Sequence, residues 1–330
     1  MKVCLTLDYE LFLGERTGTV DRCLITPMVK LMKSVDMVGA KFTIFVDATY
    51  LCALKRHAAD YPVLANDLEK IQSHLRELKE KGHDIQLHVH PQWHYSTFDG
   101  QRWTMDVDHY KLSDLDEQEA LVVFAEAKSL LDGIIGVSTT CYRAGGFSTQ
   151  PTSLFTKLFS QNGVVLDASV CPGTRYESPQ QSYDYVDAPK KGPYRFDDDI
   201  NMPQDDGRFI EVPITMCCVS PFFHWRLALN RVLKSKSQQL FGDGVSVKTT
   251  SGSIYQRLLH YTDCMATIDG YKIKFLKKAY LGAKKAGNEV MCVLGHPKLA
   301  TPHSVAELKK FCTLVSKNND SFTTLSSLLK

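Results

Sequence analysis

The sequence contains no apolar run approaching the roughly 20 residues that span a bilayer, so no membrane-spanning helix is expected in its 330 residues. It has no surplus of charge either: 39 Lys and Arg stand against 37 Asp and Glu, a formal net of +2. Its basic residues are scattered, apart from short pairs such as Lys190-Lys191 and Lys284-Lys285. Nucleic acid therefore has no electrostatic footprint to grip. There is no internal repeat and no low-complexity tract. None of the ten cysteines stands in C-x-x-C spacing, which removes zinc knuckles and dithiol redox motifs. Cys4, Cys141, Cys217 and Cys292 lie in apolar runs, where a thiol behaves as a small buried hydrophobe. The first residues, MKVCLTLDYE, begin a strand at once and show no signal-peptide core or cleavage site. A soluble cytoplasmic protein is the expectation.

Short apolar runs alternate with amphipathic patterns. Strands are predicted over residues 3–7, 41–46, 84–90, 137–143, 164–167, 209–215 and 289–294. Helical spacing covers 25–37, 67–81, 113–131, 152–162, 221–234, 261–286 and 304–316. Pro27 suits a first helical turn and Gly82 a helix end. Strands and helices in alternation, with polar residues at each strand's C-terminal end, indicate an α/β fold built on a parallel sheet or barrel. We read residues 1–330 as one domain. A Pro-, Gly- and Tyr-rich insertion at 171–208 is expected to wall the active-site face, and a polar stretch at 235–251 to form a mobile excursion.

The chemistry-bearing residues gather at those strand ends. Strand one delivers Asp8 and Glu10; the stretch DIQLHVHPQWH supplies His88, His90 and His94; later strands give Arg143, Asp167 and His296. In a parallel barrel these ends converge on one face. Side chains two apart on a strand point the same way, so Asp8 and Glu10 share a face, as do His88 and His90. Histidines in H-x-H spacing can grip one ion, and a carboxylate from strand one completes a three-ligand site with a position open for water. That donor set suits zinc, and nickel, cobalt or iron would also be accepted. Each piece alone is ordinary: a carboxylate pair after a strand is commonly a turn or cap. Their ordered occurrence at successive strand ends favours a metal site.

The segments LTLDYE, GHDIQLHVHPQW, YRAGGF, LDASV, FIEVP and LGHPK resemble the polysaccharide deacetylases, carbohydrate esterase family four. The resemblance is to the cytoplasmic branch associated with surface-polysaccharide synthesis. It implies a deformed (β/α) barrel of about seven strands and metal-dependent removal of acetyl groups from N-acetylated sugars. Within it Asp8 matches the general base, Arg143 the arginine that orients this base, and His296 the general acid. His88 matches the first metal histidine. Tyr142 precedes the arginine, and Asp167 falls in the segment that shapes the acetyl pocket.

This sequence departs from the family pattern at three places. Tyr9 stands where a metal-binding aspartate is usual, so Glu10 must substitute. Gln92 stands where the second histidine is usual, so His90 or His94 must replace it. Gly145 stands in place of a proline. The expected metal set is Glu10, His88 and His90, with Trp93 at the site edge as a stacking surface for a sugar. Two other readings stay open: an amidohydrolase acting on a non-sugar amide or cyclic ureide, and a catalytically silent glycan-binding barrel.

Overall fold

The computed structural model describes residues 1–233, 235–246 and 254–329. Its centre is a curled sheet of strands β1 (Lys2–Tyr9), β2 (Phe42–Asp47), β3 (Asp84–Val89), β4 (Cys141–Ala144), β5 (Leu166–Asp167), β6 (Tyr194–Phe196), β7 (Phe209–Glu211), β8 (Met216–Val219, paired outside this sheet), β9 (Thr262–Met265, the partner of β8), β10 (Val290–Val293) and β11 (Ser321–Phe322). The sheet order is β6-β7-β5-β4-β3-β2-β1-β10, with β11 also on β1. All its pairings are parallel except β6 with β7. A parallel bridge between Ile214 and Cys292 brings the two ends of the curl together. This is an α/β fold, roughly the deformed barrel expected.

Helices α1 (Thr26–Val35), α2 (Ala48–His57), α3 (Pro62–Glu80), α4 (Glu117–Ile135), α5 (Thr152–Asn162), α6 (Pro221–Leu233), α7 (Ile254–Leu259), α8 (Leu276–Lys285) and α9 (Pro302–Lys317) accompany the strands. Strands β2 and β10 are buried throughout, as parallel strands covered on both faces must be. Leu5, Leu7 and Tyr9 alternate along β1 with Thr6, Asp8 and Glu10, and every one of them is buried. Period-two geometry therefore turns the polar set into the barrel and the apolar set toward the helices.

Most helix positions agree with the sequence to within a few residues. α3 starts earlier than predicted because Pro62 occupies its first turn. α4 starts later, at Glu117, because the Asp116 side chain accepts from Glu119 N–H and caps it. Helix α2 was not anticipated. The helix predicted over 261–286 is a correction. Its first half is strand β9 followed by an extended run that bridges Leu294 through Thr267; helix resumes only after the 3₁₀ turn Gly270–Phe275. Within the 171–208 insertion, strands Arg175–Glu177 and Ser182–Asp184 pair antiparallel. Of the expected excursion at 235–251, residues 247–251 lie outside the described residues.

Candidate metal and acid–base centre

Glu10 follows directly from β1, and His88 and His90 lie at the end of β3. One oxygen or ring nitrogen from each falls within 4.8 Å of the others, and all three side chains are buried. Glu10 Oε2 lies 3.3 Å from His88 Nε2 and 2.5 Å from His90 Nε2. His88 Nδ1 is 2.7 Å from the Arg143 carbonyl, to which it donates. That bond orients the ring with Nε2 facing Glu10, as second-shell bonds do for metal-binding histidines. The His90 backbone is clamped by Thr49, whose Oγ1 accepts from His90 N–H at 2.9 Å.

These residues fit a metal ion. Tetrahedral bonds of about 2.0–2.1 Å separate ligand atoms by roughly 3.3 Å, the Glu10–His88 spacing already present. The Glu10–His90 edge, at 2.5 Å, must open. His90 Nδ1 is buried with no hydrogen-bond partner, so no bond at that nitrogen ties the ring down. Of the two candidates for second histidine, His90 is the one brought to the cluster. His94 sits in the one-turn helix Gln92–Tyr95 beside Tyr95, ring centroids 5.0 Å apart.

Asp8, one inward position before Glu10, is gripped by Arg143. The guanidinium is fully buried, and its Nη1 donates to Asp8 Oδ1 at 2.7 Å and to Thr6 Oγ1 at 2.8 Å. Its Nε donates to the Ala168 carbonyl at 2.8 Å, and its plane lies 4.3 Å from the centre of the Phe45 ring. Across the mouth, His296 Nε2 lies 3.6 Å from Asp8 Oδ2 and 3.7 Å from Glu10 Oε1. Strand ends far apart in sequence thus meet within one pocket.

Two participants escaped the sequence reading. Asp269 holds His296 twice, accepting from its backbone N–H at 2.8 Å and from Nδ1 at 2.9 Å. Burial opposes the imidazolium, but the carboxylates of Asp269, Asp8 and Glu10 together outweigh it and raise the His296 pKa. Lys298 donates from Nζ to Glu10 Oε1 at 2.8 Å and to the Leu11 carbonyl at 2.6 Å. Burial would raise the Glu10 carboxyl, yet Lys298, with the hydrogen bonds from His88 and His90, holds it well below its ordinary value. The signal for Asp269 was the alternating ATID after β9, hidden inside a stretch read as helix; Lys298 had none beyond its nearness to His296.

The expected substrate contacts lie elsewhere. Trp93, Tyr142 and Asp167 are all fully buried, so none presents a surface in this conformation. The short helix after His90 turns Trp93 inward, where its indole N–H donates to Asp47 Oδ2 at 2.8 Å and its ring packs on Tyr50 and Trp103. Tyr142 points to the helix side of the sheet, among Phe124, Phe155 and Phe159. Asp167 stands in register with Glu211 of the neighbouring strand, and each carboxyl keeps one buried oxygen without a hydrogen-bond partner. Tyr183 and Tyr185 of the insertion stack on each other at 4.8 Å.

No protein-family model matches this chain, and no curated protein matches it in sequence. Solved structures do match, over nearly its whole length. A protein described as a polysaccharide deacetylase from Mycobacterium smegmatis aligns over 99% of this chain and 88% of its own, at 17% identity and a TM-score of 0.56. An allantoinase aligns over 99% and 88%, at 14% identity and a TM-score of 0.50. A GH57 branching enzyme from Thermococcus kodakaraensis aligns over 99% and 70%, at 11% and 0.50. The fold is shared. Three neighbours described by three different chemistries leave the activity to the site itself.

Proposed function

We propose that this chain is a metal-dependent hydrolase that removes the acetyl group from an N-acetylated sugar during polysaccharide biosynthesis in the cytoplasm. The observation that carries the proposal is the convergence of a buried Glu10–His88–His90 group with an Arg143-held Asp8 and an Asp269-held His296. A fold neighbour described as a polysaccharide deacetylase is consistent with it.

Glu10 through Oε2 and the two histidines through Nε2 would hold the ion, which the donor set suits as zinc. Such an ion supplies Lewis acidity and lowers the pKa of water toward roughly 7. The remaining chemistry belongs to side chains. Arg143 occupies Asp8 Oδ1, which leaves Oδ2 on the open side to take the proton of the attacking water. Asp269 fixes the His296 ring so that Nε2 faces the same space and favours its protonated form. His296 Nε2–H then donates to the leaving amine nitrogen, a step worth typically about 10²–10⁴-fold.

The test is metal analysis of the purified protein, followed by acetate release from a panel of N-acetylated sugars. Replacing both His88 and His90 by alanine is expected to abolish metal binding and turnover together; full activity in that variant without metal would refute the assignment. The allantoinase neighbour motivates a second reading, hydrolysis of a cyclic ureide or other non-sugar amide, so those amides belong in the same panel. Metal-loaded protein silent on every member of it would leave a glycan-binding barrel.

A further inference from the structure

Strands β8 and β9 carry a helical hairpin, α6 and α7, outward from the barrel. Phe222, Trp225, Leu229, Val232 and Leu233 recur at helical spacing along one face of α6. Together with Leu259 and Tyr261 after α7, they are 56–77% exposed. Among the described residues, Phe222, Trp225 and Tyr261 are the exposed aromatics. Monomer surfaces rarely present apolar residues gathered in this way. The opposite face of α6 is anchored: Phe223 stacks on Tyr271 and packs edge-on to Phe275, and His224 Nε2 lies 2.9 Å from Thr262 Oγ1. Trp225 Nε1–H donates to the Leu258 carbonyl at 3.0 Å and ties the two helices together. The hairpin is therefore braced against the body while its apolar face is left bare.

The sequence of this region is rich in one sign of charge. Residues 216–288 contain twelve Lys and Arg against three acids, Asp243, Asp263 and Asp269. Lys274, Lys277, Lys278 and Lys285 line a groove between β8 and α8, beside the exposed Cys218. The near-neutral chain total conceals this asymmetry, and Lys278 Nζ donates to the Cys218 carbonyl at 2.7 Å, a few residues before α6 begins.

We propose that the α6–α7 hairpin docks this face onto an anionic lipid bilayer surface. An amphipathic helix with Trp, Phe and Leu on one side and cations around it lies in the interface plane, its apolar face among the acyl chains and its lysines at the headgroups. A second copy of the chain fits poorly, because an isologous contact would set this acid-poor rim against itself. No helix among the described residues is long and apolar enough to cross a membrane, and the attachment proposed is peripheral. Asp269, which holds His296, lies two residues before Tyr271, on which Phe223 stacks. Docking thus sets the candidate centre close to the lipid surface.

The experiment is co-sedimentation of the full chain with phosphatidylcholine vesicles, with and without about 30 mol% phosphatidylglycerol. Binding is expected only with the anionic lipid, and about 0.5 M salt should release much of it. Phe222→Ser with Leu229→Ser should weaken binding about tenfold or more without lowering the melting temperature, since both side chains are exposed. Lys277→Glu with Lys285→Glu should weaken it by about tenfold as well. Wild-type protein that ignores anionic vesicles, or an apolar-face variant that binds as wild type does, would overturn the proposal. So would a dimer in sedimentation velocity that the Phe222→Ser, Leu229→Ser variant dissolves, which would give the face to a second copy.

Discussion

Lys298 Nζ donates to Glu10 Oε1 at 2.8 Å, while Glu10 Oε2 faces the two histidine nitrogens. The carboxylate is thereby divided, with one oxygen committed to an ammonium and the other free for a metal. Without metal, Lys298 is the lysine that balances the buried charge of Glu10. Lys298→Met should destabilise the metal-free protein by about 1–3 kcal/mol, because Glu10 loses one charged partner and keeps the two histidines. Metal should then raise the melting temperature more in the variant than in wild type, because the ion takes over as counter-charge. Thermal melts with and without zinc measure both effects. An equal metal-induced rise in the two proteins would show that Lys298 and the ion do not share Glu10.

Gly145 accounts for one departure from the family pattern through another. A Cβ at this position would sit 2.7 Å from His90 Nδ1 and 2.7 Å from the Val89 carbonyl. The ring of the relocated histidine fills the space that a side chain at 145 would need. Gly145→Ala should displace His90 and weaken metal affinity by about 10–100-fold, the range seen when a ligand's support is lost. Competition against a chromophoric chelator gives the number, and wild-type affinity would mean the ring has room to spare.

Asp269 raises the His296 pKa, and a general acid must be protonated to act. Activity should therefore fall as pH rises through this raised value. Asp269→Asn removes the stabilising charge, so the alkaline limb of the pH profile should move to lower pH, with a loss of about 10²-fold at neutral pH. A limb that stays in place with activity uniformly reduced would assign Asp269 a purely structural part.

What the sequence made legible follows the reach of its periodic signals. Alternation along β1 and β3 placed Asp8, Glu10, His88 and His90 on inward faces, because a strand's period of two leaves no other choice once one face is buried. Arg143 and His296 followed from standing at strand ends. Asp269 was obscured because residues 261–286 mix an extended run with a helix and were read with one period. Trp93, Tyr142 and Asp167 were placed correctly along the chain, but strand-end position does not distinguish the pocket lumen from the layer behind the sheet. The docking face was invisible for a different reason: composition averages charge over the chain and hides the excess of cations in residues 216–288.

The Asp167–Glu211 pair carries the clearest pH signature in the molecule. Asp167 Oδ2 and Glu211 Oε2 are buried without a hydrogen-bond partner on register-paired residues, and a proton shared between the carboxyls would satisfy both. Burial pushes Asp167 up to about 6, and burial with the neighbouring carboxylate pushes Glu211 well above its ordinary value. Both folded values lie above the unfolded ones, so the shared proton's contribution is complete below the ordinary carboxyl range. It is lost as pH rises through about 6 and beyond. Glu211→Gln supplies a permanent N–H in place of that proton and keeps the side chain's shape. The variant should melt about 2–4 °C higher than wild type at alkaline pH, with the difference shrinking in acid. A variant less stable than wild type across the whole pH range would show that the two carboxyls share no proton.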